Sequence, residues 1–265
     1  MLWGEDYNKM EKFTRQDDQA VTFYQSSSKM AQEKYFDALI EPINIEEGWE
    51  IIDIGCGTGN NTFKLSKLVG NNGSVFGIDP ITERIEKARE LYEMPNLSFQ
   101  EAFGNQVCQF GDHFDIVVSS TAMHWLTYDE KIATFAEIYK SLKDGGQFVF
   151  NLSRSSVVSH NKIDHIAGKL DQFENFYPIK TANELEEICR QAGFDGYISV
   201  EEKDFSLRFE DFDELTRWYT ASIHYVEYED MVSKMKKMYQ MNYPNENLND
   251  EVIYVDQYFM CYCKK

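Results

Sequence analysis

The chain has 265 residues, of which 43% are apolar and 15% aromatic, so it can bury a sizeable core and is not expected to be disordered. Its 45 acidic and 26 basic side chains give a formal net charge of −19, which repels nucleic acid and anionic membrane surfaces. We therefore expect a small-molecule partner rather than a polynucleotide or a membrane. The composition assigns no oligomeric state.

The first residues, MLWGEDYNKMEKFTRQDD, lack the apolar segment with basic flanks of a secretory leader. No apolar run approaches the roughly 18 residues of a membrane helix, and we expect a soluble, cytoplasmic protein. The five cysteines have no disulfide spacing, and the histidines and cysteines show no clustering of metal ligands. We interpret the cysteines as reduced packing residues, with no metal site, although Cys261 and Cys263 fall on one face of a strand.

Short apolar strands alternate with helical patterns, which is typical of a mostly parallel sheet covered on both faces. The predicted strands are EIIDI from Glu50, SVFGI from Ser74, LSFQE from Leu97, FDIVVS from Phe114 and QFVFNL from Gln147. A helix is predicted in KIATFAEIYKSL, with DGG at Asp144 as its stop signal. In the next helix, Thr181 and Glu184 form a capping box, and Gly193 ends it.

Two long final strands are predicted in YISVEEKDFSLRF and EVIYVDQYFMCYCKK. Residues 210–250 between them are too many for a hairpin loop. Their periodicity is helical, with one apolar stripe that includes Leu215, Trp218 and Tyr219 and another formed by Met231, Met235 and Met238. No repeat, low-complexity linker or proline-rich joint indicates a second domain.

The most informative stretch is IIDIGCGTGNNT, in which a strand runs into Gly55, Gly57 and Gly59. Glycine accepts positive φ and lets the backbone approach a ligand closely. The spacing is G-x-G-x-G rather than the dinucleotide G-x-G-x-x-G, and no Walker lysine follows, so NAD and ATP are disfavoured. Asp79 ends the next strand, where its carboxylate can accept hydrogen bonds from ribose hydroxyls or, alternatively, cap the following helix.

IDIGCGTGN and GIDP resemble the first two motifs of the Rossmann-like S-adenosylmethionine-dependent methyltransferases, over roughly residues 49–152. The resemblance implies a doubly wound α/β fold whose mostly parallel seven-stranded sheet has an antiparallel last strand, with S-adenosylmethionine over the carboxyl ends of the first strands. It places Asp53 near the methionine amino group. This chain departs from the family at Phe103, where an aspartate commonly accepts from the adenine, so a backbone carbonyl or the Phe103 ring must replace it. The predicted cofactor site comprises Asp53, Gly55, Cys56, Gly57, Gly59, Asp79, Pro80, Phe103 and Ser119.

The stretch SSTAMHWLTYDE follows the fourth strand. Trp125 either caps the core or binds substrate, and His124 is either a general base or a packing residue. Together with YQSSSKMAQEKYFDAL, this stretch resembles the insect juvenile hormone acid methyltransferases and the related trans-aconitate and malonyl-carrier-protein enzymes. In that group a glutamine and the tryptophan bind the substrate carboxylate. The glutamine maps to Gln32, with Gln25, and less directly Gln16 and Gln19, as alternatives.

The resemblance implies a carboxyl O-methyltransferase that acts on a small, apolar acid. A carboxylate, with a reference pKa of about 4, is already ionised at neutral pH and needs placement rather than a base. A phenol or amine substrate would instead need His124 as a base. A non-catalytic methyltransferase-like binding protein is a further alternative, and a dehydrogenase is disfavoured by the glycine spacing.

These observations predict one methyltransferase domain over residues 1–265. It would have a helical cap in residues 1–45, a cofactor-binding core in 46–152 and a helical lid in 210–250. The lid methionines, with Trp218, Tyr219 and Tyr225, would either wall an apolar pocket or pack in the core.

Overall fold

A seven-stranded sheet organises the computed structural model, which describes residues 31–154, 163, 179–222 and 228–265. The strands are β1 (Glu50–Ile54), β2 (Ser74–Asp79), β3 (Leu97–Glu101), β4 (Phe114–Ser119), β5 (Leu142–Ser153), β6 (Ile198–Phe209) and β7 (Val252–Lys264). The helices are α1 (31–40), α2 (Asn60–Leu68), α3 (Thr82–Leu91), α4 (Tyr128–Ser141), α5 (Ala182–Gln191), α6 (Phe212–Ser222) and α7 (Tyr228–Asn242). Short 3₁₀ segments occupy Gly104–Phe110 and Met123–Trp125.

The strand order is β3-β2-β1-β4-β5-β7-β6. Strands β1 to β5 are parallel, whereas β7 lies antiparallel between β5 and β6. This arrangement confirms the predicted doubly wound α/β fold with an antiparallel last strand. The strand order reverses between β1 and β4, and a crevice at the carboxyl ends of the strands beside such a switch is where open α/β sheets bind ligands.

Two apolar layers cover the sheet, because successive residues of a strand point to opposite faces. Ile51 belongs to the layer that contains α1, α2, α6 and α7. The next residue, Ile52, belongs to the layer under α4 and α5. Within the described ranges, no helix is long and apolar enough to cross a bilayer.

The helix α4 differs from its prediction at the C-terminus. It ends at Ser141, and Leu142 already pairs with Phe114 of β4, so DGG does not stop the helix. The β4–β5 register then shifts before Ile116 pairs with Gln147, and Gly145 has φ of 80° within this irregular part of β5. Strand pairing therefore takes the chain out of the helix before the glycines are reached.

The helix α5 follows its prediction closely. The Thr181 hydroxyl accepts a hydrogen bond from the Glu184 N–H at 3.2 Å, which confirms Thr181 as the N-cap. The Glu184 carboxylate accepts from the Lys180 N–H, one residue before the Thr181 N–H that the predicted capping box would use. Gly193, with φ of 111°, follows the helix end as expected.

The insert between β6 and β7 folds as α6 and α7. Met231, Met235 and Trp218 are buried in the same apolar layer as β6 and β7, and the Trp218 ring lies 5.5 Å from that of Tyr254. These contacts favour the core-packing interpretation for the three side chains. Tyr219 and Met238 are only partly buried, and Tyr225 lies outside the described residues.

Three of the five cysteines meet in the core, so the expectation that metal-ligand side chains do not cluster is wrong. The Cys261 sulfur lies 3.8 Å from that of Cys263 and 4.0 Å from that of Cys189. The spacing in the sequence could not reveal this cluster, because Cys189 lies on α5 and only tertiary packing brings it to β7. All five cysteines are free thiols.

Candidate cofactor and substrate site

The glycine turn lies at the carboxyl end of β1. Gly55, Gly57 and Gly59 have φ angles of 75°, 56° and 85°, which confirms that each needs a conformation glycine favours. The Gly55 and Cys56 N–H groups donate to the Ile78 carbonyl oxygen at 2.7 and 3.0 Å, which joins the turn to β2. A Cβ atom at position 55 would overlap that of Ala122, so the segment after β4 packs directly on this turn.

Asp79 holds the turn from the end of β2. Its carboxylate accepts from the Gly57 N–H at 3.0 Å and from the Ile81 N–H at 2.9 Å, just before α3 begins. Burial raises the pKa of Asp79, against the opposing effect of Arg84 and these two hydrogen bonds. The structure thus gives Asp79 a role at the helix start. Its contact with a ribose remains a prediction. The carboxylate has further lone pairs that could accept hydrogen bonds from ribose hydroxyls.

Asp53 is the second buried carboxyl group of the site, only 2% exposed within β1. The Thr62 hydroxyl donates to it at 2.7 Å from the first turn of α2. Burial raises its pKa to about 7, the Thr62 hydrogen bond opposes that rise, and Asp79 adds to it. A cationic ligand group beside Asp53 would lower this pKa, so the carboxyl group would ionise when the ligand binds.

Two polar side chains of the turn have atoms without a hydrogen-bond partner among the described residues. They are the buried Thr58 hydroxyl oxygen and the buried Asn60 amide nitrogen. A buried polar atom without a partner is costly, so these atoms fit a polar ligand that contacts the turn. Sequence reasoning missed both, although they stand within the glycine motif. The Cys56 thiol is also buried here and donates to the Gly57 carbonyl at 3.7 Å.

Phe103 directly follows Ala102, whose N–H donates to the Asp79 carbonyl oxygen at 3.2 Å. Phe103 is half-buried between β3 and the 3₁₀ segment that starts at Gly104, and Pro80 is half-buried between β2 and α3. Both therefore stand at the same edge of the sheet as the turn. Ser119 reaches this edge too, but its fully buried hydroxyl donates to the Ile54 carbonyl at 2.8 Å and so joins β4 to β1.

The segment after β4 contains a strained residue that the sequence did not reveal. Thr121 has φ of 57°, and it is the only non-glycine residue with positive φ in the described part of the chain. Its N–H donates to the side-chain oxygen of Asn151 at 2.7 Å, and the Asn151 amide donates to the Tyr35 carbonyl at 3.5 Å. Fully buried Asn151 thus holds this segment against α1. Backbone strain of this kind is found at functional sites.

His124 and Trp125 follow in the 3₁₀ turn, with their ring centroids 4.9 Å apart. Both side chains are half-buried. The His124 Nδ1 atom is buried and has no hydrogen-bond partner among the residues described. Burial, with a contribution from Lys131, lowers the pKa of His124 to about 3, so the imidazole is neutral at physiological pH.

Gln32 is half-buried on α1, one turn before Tyr35. The Asn151 bridge fixes Tyr35 to the segment that carries Trp125, so α1 and that segment are held together. Gln16, Gln19 and Gln25 lie outside the described residues. The structure therefore brings the turn, Asp79, His124 and Trp125 to one edge, with Gln32 on the adjoining helix.

Comparison with known proteins supports the predicted resemblance to methyltransferases. Residues 51–146 match the family described as methyltransferase domain. This part of the chain is therefore similar to a methyltransferase domain. The match covers β1 through the start of β5, including the glycine turn and Asp79, and it supports S-adenosylmethionine as the cofactor, as predicted.

An arsenite methyltransferase of Aquipseudomonas alcaligenes is 27% identical over 176 residues, which are 61% of this chain and 48% of that protein. The chain thus matches less than half the length of this relative. The cyclopropane synthase MmaA2 of Mycobacterium tuberculosis superposes with a TM-score of 0.62 at 15% identity, over 96% of this chain and 98% of that one. A phosphoethanolamine N-methyltransferase of Haemonchus contortus, in complex with S-adenosylhomocysteine, superposes with a TM-score of 0.59 at 16% identity, over 93% of this chain and 57% of that one. The two superpositions show that nearly the whole chain has the fold of these proteins.

Proposed function

We propose that this protein transfers the methyl group of S-adenosylmethionine to the carboxylate of a small, apolar acid and so forms a methyl ester. The residues that would hold the cofactor are the glycine turn, Thr58, Asn60, Asp53 and Asp79. The bound cofactor supplies an electrophilic methyl group on a sulfonium sulfur. The protein must place the acceptor in line with that methyl group and exclude water.

The surroundings of His124 support the choice of a carboxylate, because its buried Nδ1 atom has no hydrogen-bond partner among the described residues that would orient the imidazole as a base. With its pKa lowered to about 3, His124 is a weak base and is poorly suited to removing a proton from a phenol or an ammonium group. A carboxylate needs no such step, because its reference pKa of about 4 leaves it ionised at neutral pH. The Trp125 indole and the Gln32 amide would donate to one carboxylate oxygen and leave the other to attack the methyl group.

The proposal that the substrate is apolar is based on the insert between β6 and β7. Met231, Met235 and Trp218 are used in the core, which leaves the half-buried Tyr219 and Met238 as candidates for a pocket wall. Methionine and tyrosine suit an irregular, mainly apolar ligand.

The test measures transfer of a labelled methyl group from S-adenosylmethionine to a panel of terpenoid, fatty and small polycarboxylic acids. The panel also includes a phenol, an amine and arsenite, the last because of the relatives with that name. We expect base-labile label in the ester of an apolar acid. Transfer to arsenite, the phenol or the amine, with no ester formed, would replace the proposed substrate and keep the methyltransferase assignment.

Variants test the assigned roles on the best acid. We expect Trp125→Phe and Gln32→Leu each to lower kcat/KM by ~10-fold or more, because a hydrogen bond to a charged group contributes about 1.5–3 kcal/mol. His124→Gln should retain activity within about threefold, because a carboxylate substrate needs no base. Trp49→Phe is the matched control, since Trp49 precedes β1 at the opposite end of that strand. A loss in His124→Gln greater than that in Trp125→Phe would contradict the carboxylate mechanism.

A further inference from the structure

Among the described residues, the cluster formed by Cys189, Cys261 and Cys263 is the largest group of metal-ligating side chains that the methyltransferase chemistry leaves unused. The three side chains are at most 1% exposed. Cys261 and Cys263 lie on β7, which β4 and β5 separate from β1. Three strand spacings correspond to about 14 Å, so the thiols lie well to the side of the glycine turn.

The separation of the sulfur atoms matches the size of a metal ion. Two sulfur–sulfur distances are 3.8 and 4.0 Å, and all three sulfurs lie within 4.8 Å of one another. Three sulfurs at about 2.3 Å from one ion in a plane would be about 4.0 Å apart. A small contraction of the third distance would therefore complete a trigonal site without rearrangement of β7 or α5.

The donor set selects the class of ion. In the described part of the chain the cluster contains three thiols and neither a histidine nor a carboxylate as a fourth ligand. Sulfur-only sites prefer soft ions such as Cu(I) and zinc over hard ions such as magnesium. Zinc takes four ligands in its structural sites, and the burial of all three cysteines shields the fourth position from bulk solvent.

Binding of an ion by the three cysteines would release protons. A thiolate, not a thiol, is the form that binds metals. Ion binding would release the thiol protons. Exposed Lys264, directly after Cys263, brings solvent within one residue of the cluster.

We propose that Cys189, Cys261 and Cys263 form a three-coordinate site for one Cu(I) ion. The site is independent of the proposed substrate, because none of its ligands belongs to the glycine turn or to the segment with His124 and Trp125. The alternative is that the thiols are small apolar packing residues.

The experiment is an anaerobic titration of the full chain with Cu(I) in competition with a chromogenic Cu(I) chelator. We expect one ion per chain, a near-ultraviolet thiolate-to-copper absorption band and three sulfur neighbours in the copper X-ray absorption spectrum. Cys261→Ala should weaken Cu(I) binding by at least ~100-fold. Cys108→Ala is the matched control, because Cys108 is a half-buried thiol on a separate element, and it should bind as the native chain does.

Three results would overturn the site. They are a native chain that yields all its copper to the chelator, a Cys261→Ala variant that binds as tightly as native, and nitrogen or oxygen neighbours in the absorption spectrum. Circular dichroism of both variants checks that they fold. If Cys261→Ala does not fold, Cys261→Val and the spectrum of the native chain decide the question. Retained binding of S-adenosylmethionine by the folded variants would separate this outcome from any failure of the proposed methyltransferase function.

Discussion

At the scale of single residues, Gly55 combines a positive φ angle with a close contact to a neighbouring segment, as Gly59 of the same turn also does. Gly55 has φ of 75°, and a Cβ atom there would overlap Ala122. Gly48 has a similar φ of 88°, but nothing lies within 4 Å of the corresponding position. Comparing substitutions at Gly55 and Gly48 therefore distinguishes the effect of backbone strain from that of steric contact with Ala122.

We predict that Gly55→Ala abolishes binding of S-adenosylmethionine, whereas Gly48→Ala leaves it unchanged. Positive φ costs either alanine roughly 1–2 kcal/mol of folding stability, and overpacking at position 55 adds about 1–3 kcal/mol. Isothermal titration with the cofactor and chemical denaturation of both variants provide the measurement. Equal loss of cofactor binding in both variants would show that Ala122 does not press on the turn.

Asp53 makes the stability of the protein depend on pH. Its pKa is raised to about 7 by burial, above the ordinary value near 3.8 that it has in the unfolded chain. The group therefore contributes stability that is fully present below pH ~4 and is lost as the pH rises to about 7, because the unfolded state ionises first.

We predict that the free energy of unfolding of the native chain falls, relative to that of Asp53→Asn, between pH 4 and 7. The limiting difference is roughly 4 kcal/mol, from about three pKa units at 1.36 kcal/mol each. Denaturant titrations of both proteins across this pH range measure it. Subtracting the variant removes the contribution of Asp79 and other shared groups, and parallel curves would contradict the assignment.

At the scale of elements, α7 tests whether the insert is part of the core. Met235 is fully buried against α6 and the final strands, while Met241, near the end of the same helix, is 73% exposed. We predict that Met235→Ala lowers the free energy of unfolding by about 2–5 kcal/mol, and that Met241→Ala changes it by less than ~0.5 kcal/mol. Thermal denaturation of both variants measures the difference. A small loss in both would place Met235 in a ligand pocket, as the lid hypothesis supposed.

The elements could be predicted where their signals are local. The strands around the glycine turn are apolar runs bounded by glycine or aspartate, and the Thr181 cap lies three residues from its partner. The end of α4 could not be predicted, because it depends on the pairing of Leu142 with Phe114, which is distant in sequence. The cysteine cluster could not be predicted either, because Cys189 is distant in sequence from Cys261 and Cys263.

In the candidate site, too, the contacts that are local in sequence could be predicted and the distant ones could not. The turn and Asp79 belong to one continuous strand-turn-helix-strand unit, so the motif alone predicted their proximity. Asn151 was missed because its two partners, Thr121 and Tyr35, come from distant parts of the chain. The polar Asn151 within the apolar run FVFNL was the available signal, since a buried polar side chain needs a partner.

At the scale of the whole molecule, the net charge of −19 acts on every charged ligand that approaches the site. S-adenosylmethionine carries one net positive charge, from a sulfonium and an ammonium group against one carboxylate. S-adenosylhomocysteine, which lacks the sulfonium, is neutral overall. The protein's field therefore attracts the methyl donor but not the demethylated product, and it repels an acid substrate.

We predict that raising the salt concentration from 20 to 500 mM weakens binding of S-adenosylmethionine about two- to fivefold, because salt screens charges beyond the Debye length of roughly 10 Å at 0.1 M. Binding of S-adenosylhomocysteine should change by less than about 1.5-fold, which makes it the matched control. The KM for an acid substrate should fall over the same range as its repulsion is screened. Isothermal titration and initial rates supply both measurements. Equal salt dependence for the two cofactor forms would mean that short-range contacts with Asp53, rather than the charge of the whole molecule, dominate cofactor binding.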